Sequence, residues 1–443
     1  MSILNTSVSG MLADSNWLAT ISQNVANANT TAYKDSETEF STVVDQLGSA
    51  AASGGVTTST LALNTQQGNV VGTSTTTDLA VQGDGYFVVS NSSGDLFLTR
   101  NGSFVPDSNG NLVNSAGYYL MGQNVQNGAA AGSSNSTSDL TVVNVTTSGE
   151  LSTPTTTGTL STNLDSTATP VTTAADLPSA NGAGATYTSE TSLTTYNDLG
   201  GKQSVNVYYT NLGYNSVTGT DQWEVTAYNA ADASTSAGFP YTAGGVAGAT
   251  ADNPLVTATL NFNPNNGQLS GITGESVNGV ATTVTGSNLT LTVPNGQPMT
   301  LDLTGTTQLS AAFVVNSSVV NGNAAGTLSG LSVGTNGTLD FQYSNGASSP
   351  AYDIPLATVP SEDNLTAVSG NAYTVSEASG NIRLGTPGAA GLGTIASSSL
   401  ESSTVDLATE LTNMIEAQSA YQASSKAFQA GVTVLDVLNN LKS

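Results

Sequence analysis

The sequence predicts a mixed, mainly β chain, with long N- and C-terminal α-helices that form a coiled coil and two nested all-β domains in the middle. Three observations predict it. Apolar residues recur at heptad spacing at both ends of the chain. Between those ends, short alternating apolar runs are broken by Asp-Gly and Asn-Gly turns. The composition is rich in Gly, Ser, Thr and Asn, with only 8% charged and 6% aromatic residues, as in β-rich extracellular structural proteins.

The C-terminal helix is expected over residues 404–441. Leu407, Leu411, Met414, Gln418, Tyr421, Ser425, Phe428, Val432 and Leu435 advance by alternating steps of four and three, which keeps them on one seam. Ser403 with Asp406 reads as a capping box, and Lys442 suits the negative end of the macrodipole. Ala408, Ala417, Ala420, Ala423, Ala427 and Ala430 flank the seam with small side chains that permit close approach on several sides. So long a seam needs a partner. Leu4, Val8, Met11, Leu18, Ile21 and Val25 form a second stripe with the same spacing at the other end of the chain. Two helices closing one globular core would also produce such stripes. The sharper reading makes these residues a helical assembly interface, with the outer helix faces meeting neighbouring subunits.

Charge and composition exclude several function classes. The chain has 443 residues, enough for two or three domains with their own cores. Its 31 acidic and 6 basic residues give a net charge of −25, which argues against nucleic acid and anionic membrane surfaces as partners. Cysteine and histidine are absent, so disulfides, thiolate zinc sites and histidine-dependent triads are ruled out. No stretch is long and apolar enough to cross a bilayer as a helix. The first residues lack a basic segment followed by a continuous apolar run, so a cleaved secretory signal is not expected.

The first helix is expected to end near Asn29, in Ser22-Gln23-Asn24-Val25-Ala26-Asn27-Ala28-Asn29-Thr30-Thr31-Ala32-Tyr33-Lys34, where Asn and Thr side chains compete for backbone hydrogen bonds. Residues 35–72 read as a polar, irregular connector. From Thr73 the runs Asp78-Leu79-Ala80-Val81-Gln82-Gly83-Asp84-Gly85-Tyr86-Phe87-Val88-Val89, Phe97-Leu98-Thr99-Arg100-Asn101-Gly102-Ser103-Phe104 and Asp107-Ser108-Asn109-Gly110-Asn111-Leu112-Val113 read as successive hairpins. Asp107, Asn109 and Asn111 are spaced like calcium ligands, but Leu112 and Tyr118 stand where such a loop needs glycine and glutamate, so a turn is expected. Residues 146–305 read as an inserted outer all-β domain, sandwich or barrel, with Trp223 in packing rather than on a sugar platform. Residues 306–395 return to hairpin patterning and complete an inner β domain with 73–145. Residues 1–34 and 396–443 form the terminal helical domain.

The Asn-rich helix end with Asn24, Asn27, Asn29, Thr31, Tyr33 and Lys34 resembles the N-terminal motif of bacterial flagellar rod and hook axial proteins. Ala32 stands where that motif has Gly, so a different turn is expected there. The three hairpin blocks resemble the same family's second conserved region. Leu400-Glu401-Ser402-Ser403-Thr404-Val405-Asp406-Leu407 and Met414-Ile415-Glu416-Ala417-Gln418-Ser419-Ala420-Tyr421-Gln422 resemble its C-terminal one. Tyr196-Asn197-Asp198-Leu199-Gly200-Gly201 is similar to the outer domain of the hook members. The resemblance implies a structural subunit without catalytic, cofactor or metal residues, which polymerises into a short curved tube that carries torque from rod to filament. It also implies rod, hook-cap and hook–filament junction partners, export through the flagellar type III apparatus, and a place outside the cell. A distal rod protein, an extracellular adhesin and a carbohydrate-active β-protein are the alternatives. No local carboxylate pair sits in an aromatic cleft pattern, and no phosphate-binding glycine loop is followed by Lys.

Overall fold

A computed structural model describes residues 2–47, 50–126, 136–146, 149–234, 238–245, 252–284 and 286–440. Strand is the commonest regular structure in the described chain. Helix α1 covers Ser2–Ala26 and helix α2 covers Leu407–Asn440. The chain divides into two compact units, one holding residues 1–148, 330–342 and 348–443, the other 149–329 and 343–347.

In the first unit, α1 is followed by strands β1 (Ser36–Leu47) and β2 (Ala50–Ala62), paired antiparallel from Ser36–Ala62 to Leu47–Ala50. This corrects the expectation of an irregular connector. Ser and Thr suit loops in a hydropathy pattern, but Thr38, Thr42, Val43, Val56, Thr57, Thr58 and Thr60 are β-branched and favour a pleated surface. The ribbon is held against α1: the Phe40 ring meets Trp17 edge-on at 5.7 Å, Thr38 donates to Thr20 at 2.9 Å, and Asn16 donates to Thr58 at 2.9 Å.

The capping at the start of α2 also differs from the sequence reading. Asp406, not Ser403, is the cap: its Oδ1 accepts from the backbone N–H of Ala408 (2.8 Å) and Thr409 (3.3 Å), so the helix begins at Leu407. Lys442 lies outside the described residues.

The β part of this unit interleaves strands from both sides of the insertion. Tyr86–Ser90 pairs with Leu96–Thr99, with Tyr119–Asn124 and with Leu356–Thr358. Thr394–Ser397 pairs with Leu79–Gln82, and Ser399–Glu401 with Val70–Gly72. Tyr86, Val88, Leu98, Ala357, Val359 and Tyr373 bury one core between them. At Asp107 the chain makes a tight turn, with Oδ1 accepting from the N–H of Asn109 and Asn111, both at 2.8 Å.

The second unit is a two-layer β-sandwich, which settles the choice between sandwich and barrel. One layer runs antiparallel in the order Ser189–Tyr196, Lys202–Asn215, Thr220–Asn229, Val256–Phe262, Leu269–Val277 and Val280–Ala281. In the other, Thr157–Asp165 lies between Pro298–Asp302 and Thr307–Leu309 on one side and Val314–Val320 on the other. Leu160, Val205, Tyr209, Leu260, Phe262, Leu289 and Leu301 from both layers share a core with Trp223, which is fully enclosed. An enclosed indole cannot serve as a stacking platform for a ligand.

Candidate assembly interface

The N-terminal motif and the chain leading into α2 meet at one node in the first unit. Asn24 closes α1 on the hairpin: its Nδ2 donates to Ser36 O at 2.9 Å, and its Oδ1 accepts from Ser36 N and from the Tyr33 hydroxyl, both at 3.2 Å. Asn27 donates to Gln23 O at 2.9 Å and accepts from Thr30 at 3.1 Å, which stops the helix in a polar turn. The Thr31 carbonyl accepts from Asn371 at 2.7 Å, and Asn29 is exposed. Ala32 is buried with φ +56°, and its N–H donates to Glu401 O at 2.8 Å. The left-handed turn expected to be lost without glycine is therefore kept. Its strain of about 1–2 kcal/mol is offset by the surrounding contacts.

Lys34 sits at the centre. Its ammonium donates to Glu401 Oε1 at 2.6 Å and to Gln66 O at 2.5 Å, and the same carboxylate oxygen accepts from Gly68 N at 2.8 Å. Arg100 Nη1 lies 3.7 Å from Glu401 Oε2, with its guanidinium 5.1 Å over the Tyr86 ring. Two of the chain's six basic residues are thus buried around one carboxylate. Burial lowers the Lys34 pKa, and the Glu401 carboxylate opposes that shift. Thr404 completes the node, donating its N–H to Tyr33 O at 3.1 Å and accepting from Asp35 N at 2.8 Å. Sequence reasoning singled out Lys34 but not Glu401 or Arg100 as its partners. The available signal was the scarcity of bases: a cation placed in a motif that folds inward needs a carboxylate.

Helices α1 and α2 pack antiparallel. Ser424 donates to Asp14 at 3.0 Å, and Asn24, ten residues further along α1, lies beside Glu410, fourteen residues earlier in α2. A methyl group at Gly10 would come within 3.1 Å of the Ser424 hydroxyl, so the helices approach closely there. On α2 the enclosed positions are Glu410, Ala417 and Gly431, with Ser424 half-buried between them, a seven-residue repeat of small or polar side chains. On α1 they are Ser7, Ala13, Asp14, Thr20, Ile21 and Asn24, again mostly small or polar side chains.

The seam read from the sequence lies partly beside this one. Met414 and Phe428 are half-buried, as are Leu4, Met11, Leu18 and Val25, and Ile21 is buried. Val8, Leu407, Leu411, Gln418, Tyr421, Val432 and Leu435 are exposed. The intrachain contact uses positions 410, 417, 424 and 431 rather than 411, 418, 425 and 432, a rotation of about 100° round the helix. Close approach selects the small side chains, and the larger ones face outward. Leu411 is 49% exposed, Ile415 66% and Val437 54%. A 34-residue helix that carries exposed leucine, isoleucine and valine along its length presents an apolar surface that its own chain does not cover.

Four family models match in order along the chain: Flagella basal body rod protein over 4–34, Flagellar hook protein FlgE/F/G D1 domain over 80–153, Flagellar basal body protein FlaE D2 domain over 163–323, and Flagellar basal body rod FlgEFG protein C-terminal over 396–441. The Flagellar hook protein FlgE of Brucella abortus is 41% identical, over 99% of this chain and 98% of the relative. That of Salmonella typhimurium is 28% identical, over 98% of each. The crystal structure of Helicobacter pylori flagellar hook protein FlgE2 superposes with a TM-score of 0.48 at 14% identity, covering 75% of this chain and 100% of that one.

Proposed function

This chain belongs to the flagellar hook protein family, and we propose that it polymerises through its terminal helices into a short curved tube that transmits torque from rod to filament. The observation that carries the proposal is the outward apolar face of α2. Fully burying a Leu, Ile or Val side chain contributes about 1.5–3 kcal/mol, so a few such residues per subunit are enough to hold a repeated contact. An open tube needs a heterologous contact that does not close on itself, and a face running the length of one helix against a different face of the next subunit provides that.

In this reading the stripes Leu4, Val8, Met11, Leu18, Ile21 and Val25, and Leu407, Leu411, Met414, Gln418, Tyr421, Phe428, Val432 and Leu435, form coiled-coil contacts within and between subunits. The β domains are nested in chain order and slide past their neighbours as the tube bends. The partners beyond self are the rod, hook-cap and hook–filament junction proteins and the flagellar export apparatus. Export proceeds through that apparatus to a site outside the cell.

Charge makes a testable demand on this assembly. Residues 71–395 carry 21 acidic side chains against Arg100, Lys202 and Arg383, a net of −18. Stacking such domains on neighbours opposes close packing unless ions screen the repulsion. Electron microscopy of the purified chain is expected to show short curved tubes. The critical concentration for forming them is expected to fall as salt or divalent cation is raised from low to moderate levels. Straight rods would favour the rod reading. A critical concentration indifferent to salt would mean that neighbouring surfaces meet through neutral Thr, Asn and Gly.

A further inference from the structure

Ten Asn-Gly pairs occur in the chain, and nine of them lie among the described residues. The dipeptide supplies the two positive-φ residues of a tight hairpin turn. It is also the pair most open to deamidation, because glycine has no side chain to shield its backbone nitrogen from the preceding asparagine Cγ. The reaction needs two freedoms. The asparagine side chain must be able to swing toward the next residue, and that residue's N–H must lack an acceptor. The fold withholds one or both at eight pairs. Asn181 and Asn345 donate their side-chain amides to Tyr241 O at 2.8 Å and Leu151 O at 3.0 Å, Asn321 accepts from Thr156 N at 3.0 Å, and Asn101 accepts from Ser103 N at 3.2 Å. Asn266 and Asn336 accept from Gln268 N and Thr338 N, while Gly267 and Gly337 donate to Asn263 O and Gly334 O. At Asn109 and Asn295 the side chains are exposed and without a hydrogen bond, but Gly110 donates to Asp107 O at 3.0 Å and Gly296 to Val293 O at 2.9 Å. Asn278-Gly279 is the pair among the described residues with both freedoms: the side chain is exposed and unbonded, and the Gly279 N–H has no acceptor.

We propose that Asn278 is a site of spontaneous modification in the folded chain, converted to aspartate and isoaspartate by the neighbouring Gly279 amide and water. The Gly279 nitrogen gives up its proton and bonds to Asn278 Cγ, the Cγ–Nδ2 bond breaks, and ammonia leaves. Water then opens the resulting succinimide at either carbonyl: one opening yields an ordinary aspartate, the other routes the backbone through the side chain. The surroundings favour the approach. Asn278 (φ +48°) and Gly279 (φ +79°) form the turn between strand Leu269–Val277 and the two-residue strand Val280–Ala281, which lies at the edge of its sheet and pairs with Val277 and Ser276. Val280 is 67% exposed, so opening the tip gives up little buried apolar surface. Below the tip, Thr282 donates its N–H and hydroxyl to Glu275 at 3.0 and 2.6 Å, which keeps the hairpin base closed while the turn moves. The product adds a negative charge to a chain already at −25. Isoaspartate also puts an extra backbone carbon into a two-residue turn, which shifts the Val277–Val280 pairing.

The test incubates the full-length chain in mildly alkaline buffer, where the attacking amide loses its proton more readily, and follows every Asn-Gly peptide over time by mass spectrometry. Conversion of amide to acid raises a peptide's mass, and isoaspartate elutes apart from aspartate. Asn109 and Asn295 are internal controls with the same dipeptide and the same exposure, differing in the bonded glycine N–H. In the folded chain Asn278 is expected to react about fivefold faster than either, the population shift that one net hydrogen bond supplies. Asn181, Asn321 and Asn345 are expected to be slower still. In a parallel sample unfolded in urea the rates are expected to converge, because the fold and not the dipeptide sets the order. Asn109 or Asn295 keeping pace with Asn278 in the folded chain overturns the proposal, as does an Asn278 that leads by the same margin in urea.

Discussion

Glu401→Ala is expected to destabilise the helix-bearing unit by about 3–5 kcal/mol, the usual cost of removing one partner from a buried ion pair. The carboxylate is buried, holds Lys34 at 2.6 Å and the Gly68 N–H at 2.8 Å, and is the counter-charge to Arg100 at 3.7 Å. Its loss takes the counter-charge from two buried cations and the partner from a backbone donor; only Lys34 keeps a neutral acceptor, the Gln66 carbonyl. The chain's two tryptophans separate the readout, because Trp17 lies on α1 and Trp223 in the sandwich core. Urea unfolding followed by fluorescence in a Trp223→Phe background reports the first unit, and in a Trp17→Phe background the second. The loss is expected in the first alone. Replacing both partners, Lys34→Met with Glu401→Leu, is expected to recover part of it, since a buried pair costs less to delete whole than to break. A loss below about 1 kcal/mol from Glu401→Ala would show that the node is peripheral to stability.

Phe428→Asp is expected to separate helix pairing from strand folding. Phe428 is half-buried on α2, one turn from Ser424, which meets Gly10 and Asp14 of α1 closely. A carboxylate there, with the acidic Asp14 in the same helix contact, costs several kcal/mol if it stays in place. The helix signal in circular dichroism and the ability to polymerise are expected to fall together, with the strand signal unchanged. Loss of the strand signal instead would place the helices in the core that the β-strands depend on.

How legible this was depended on side-chain size and on which residues carry propensity. Both helices were readable because heptad spacing survives at Met414, Phe428 and Ile21. The face was not, because periodicity weighs large apolar residues, and the intrachain contact is made by Ala417, Ser424 and Gly431, which permit close approach. The alanines quoted as flanking the stripe held the clue. The hairpin β1–β2 went unseen because threonine counts as polar in a hydropathy pattern and as β-branched in a strand. Asp-Gly and Asn-Gly turns located the inner strands, but the pairing of Leu356–Thr358 with Tyr86–Ser90 joins segments so distant in sequence that no local pattern encodes it. Lys34 was visible as part of a motif. Its partner Glu401 lies 367 residues away, and only the fold brings the two together.

The central claim is that the apolar face of α2, left uncovered by its own chain, is the surface through which subunits assemble. The most direct measurement compares the critical concentration for polymer of the wild-type chain with that of Ile415→Asp, a change at a position 66% exposed that touches neither the α1 contact nor the Lys34–Glu401 node. The account predicts unchanged helix and strand signals and no sedimentable tube at concentrations where the wild type assembles completely. A variant that assembles at the wild-type critical concentration would contradict it.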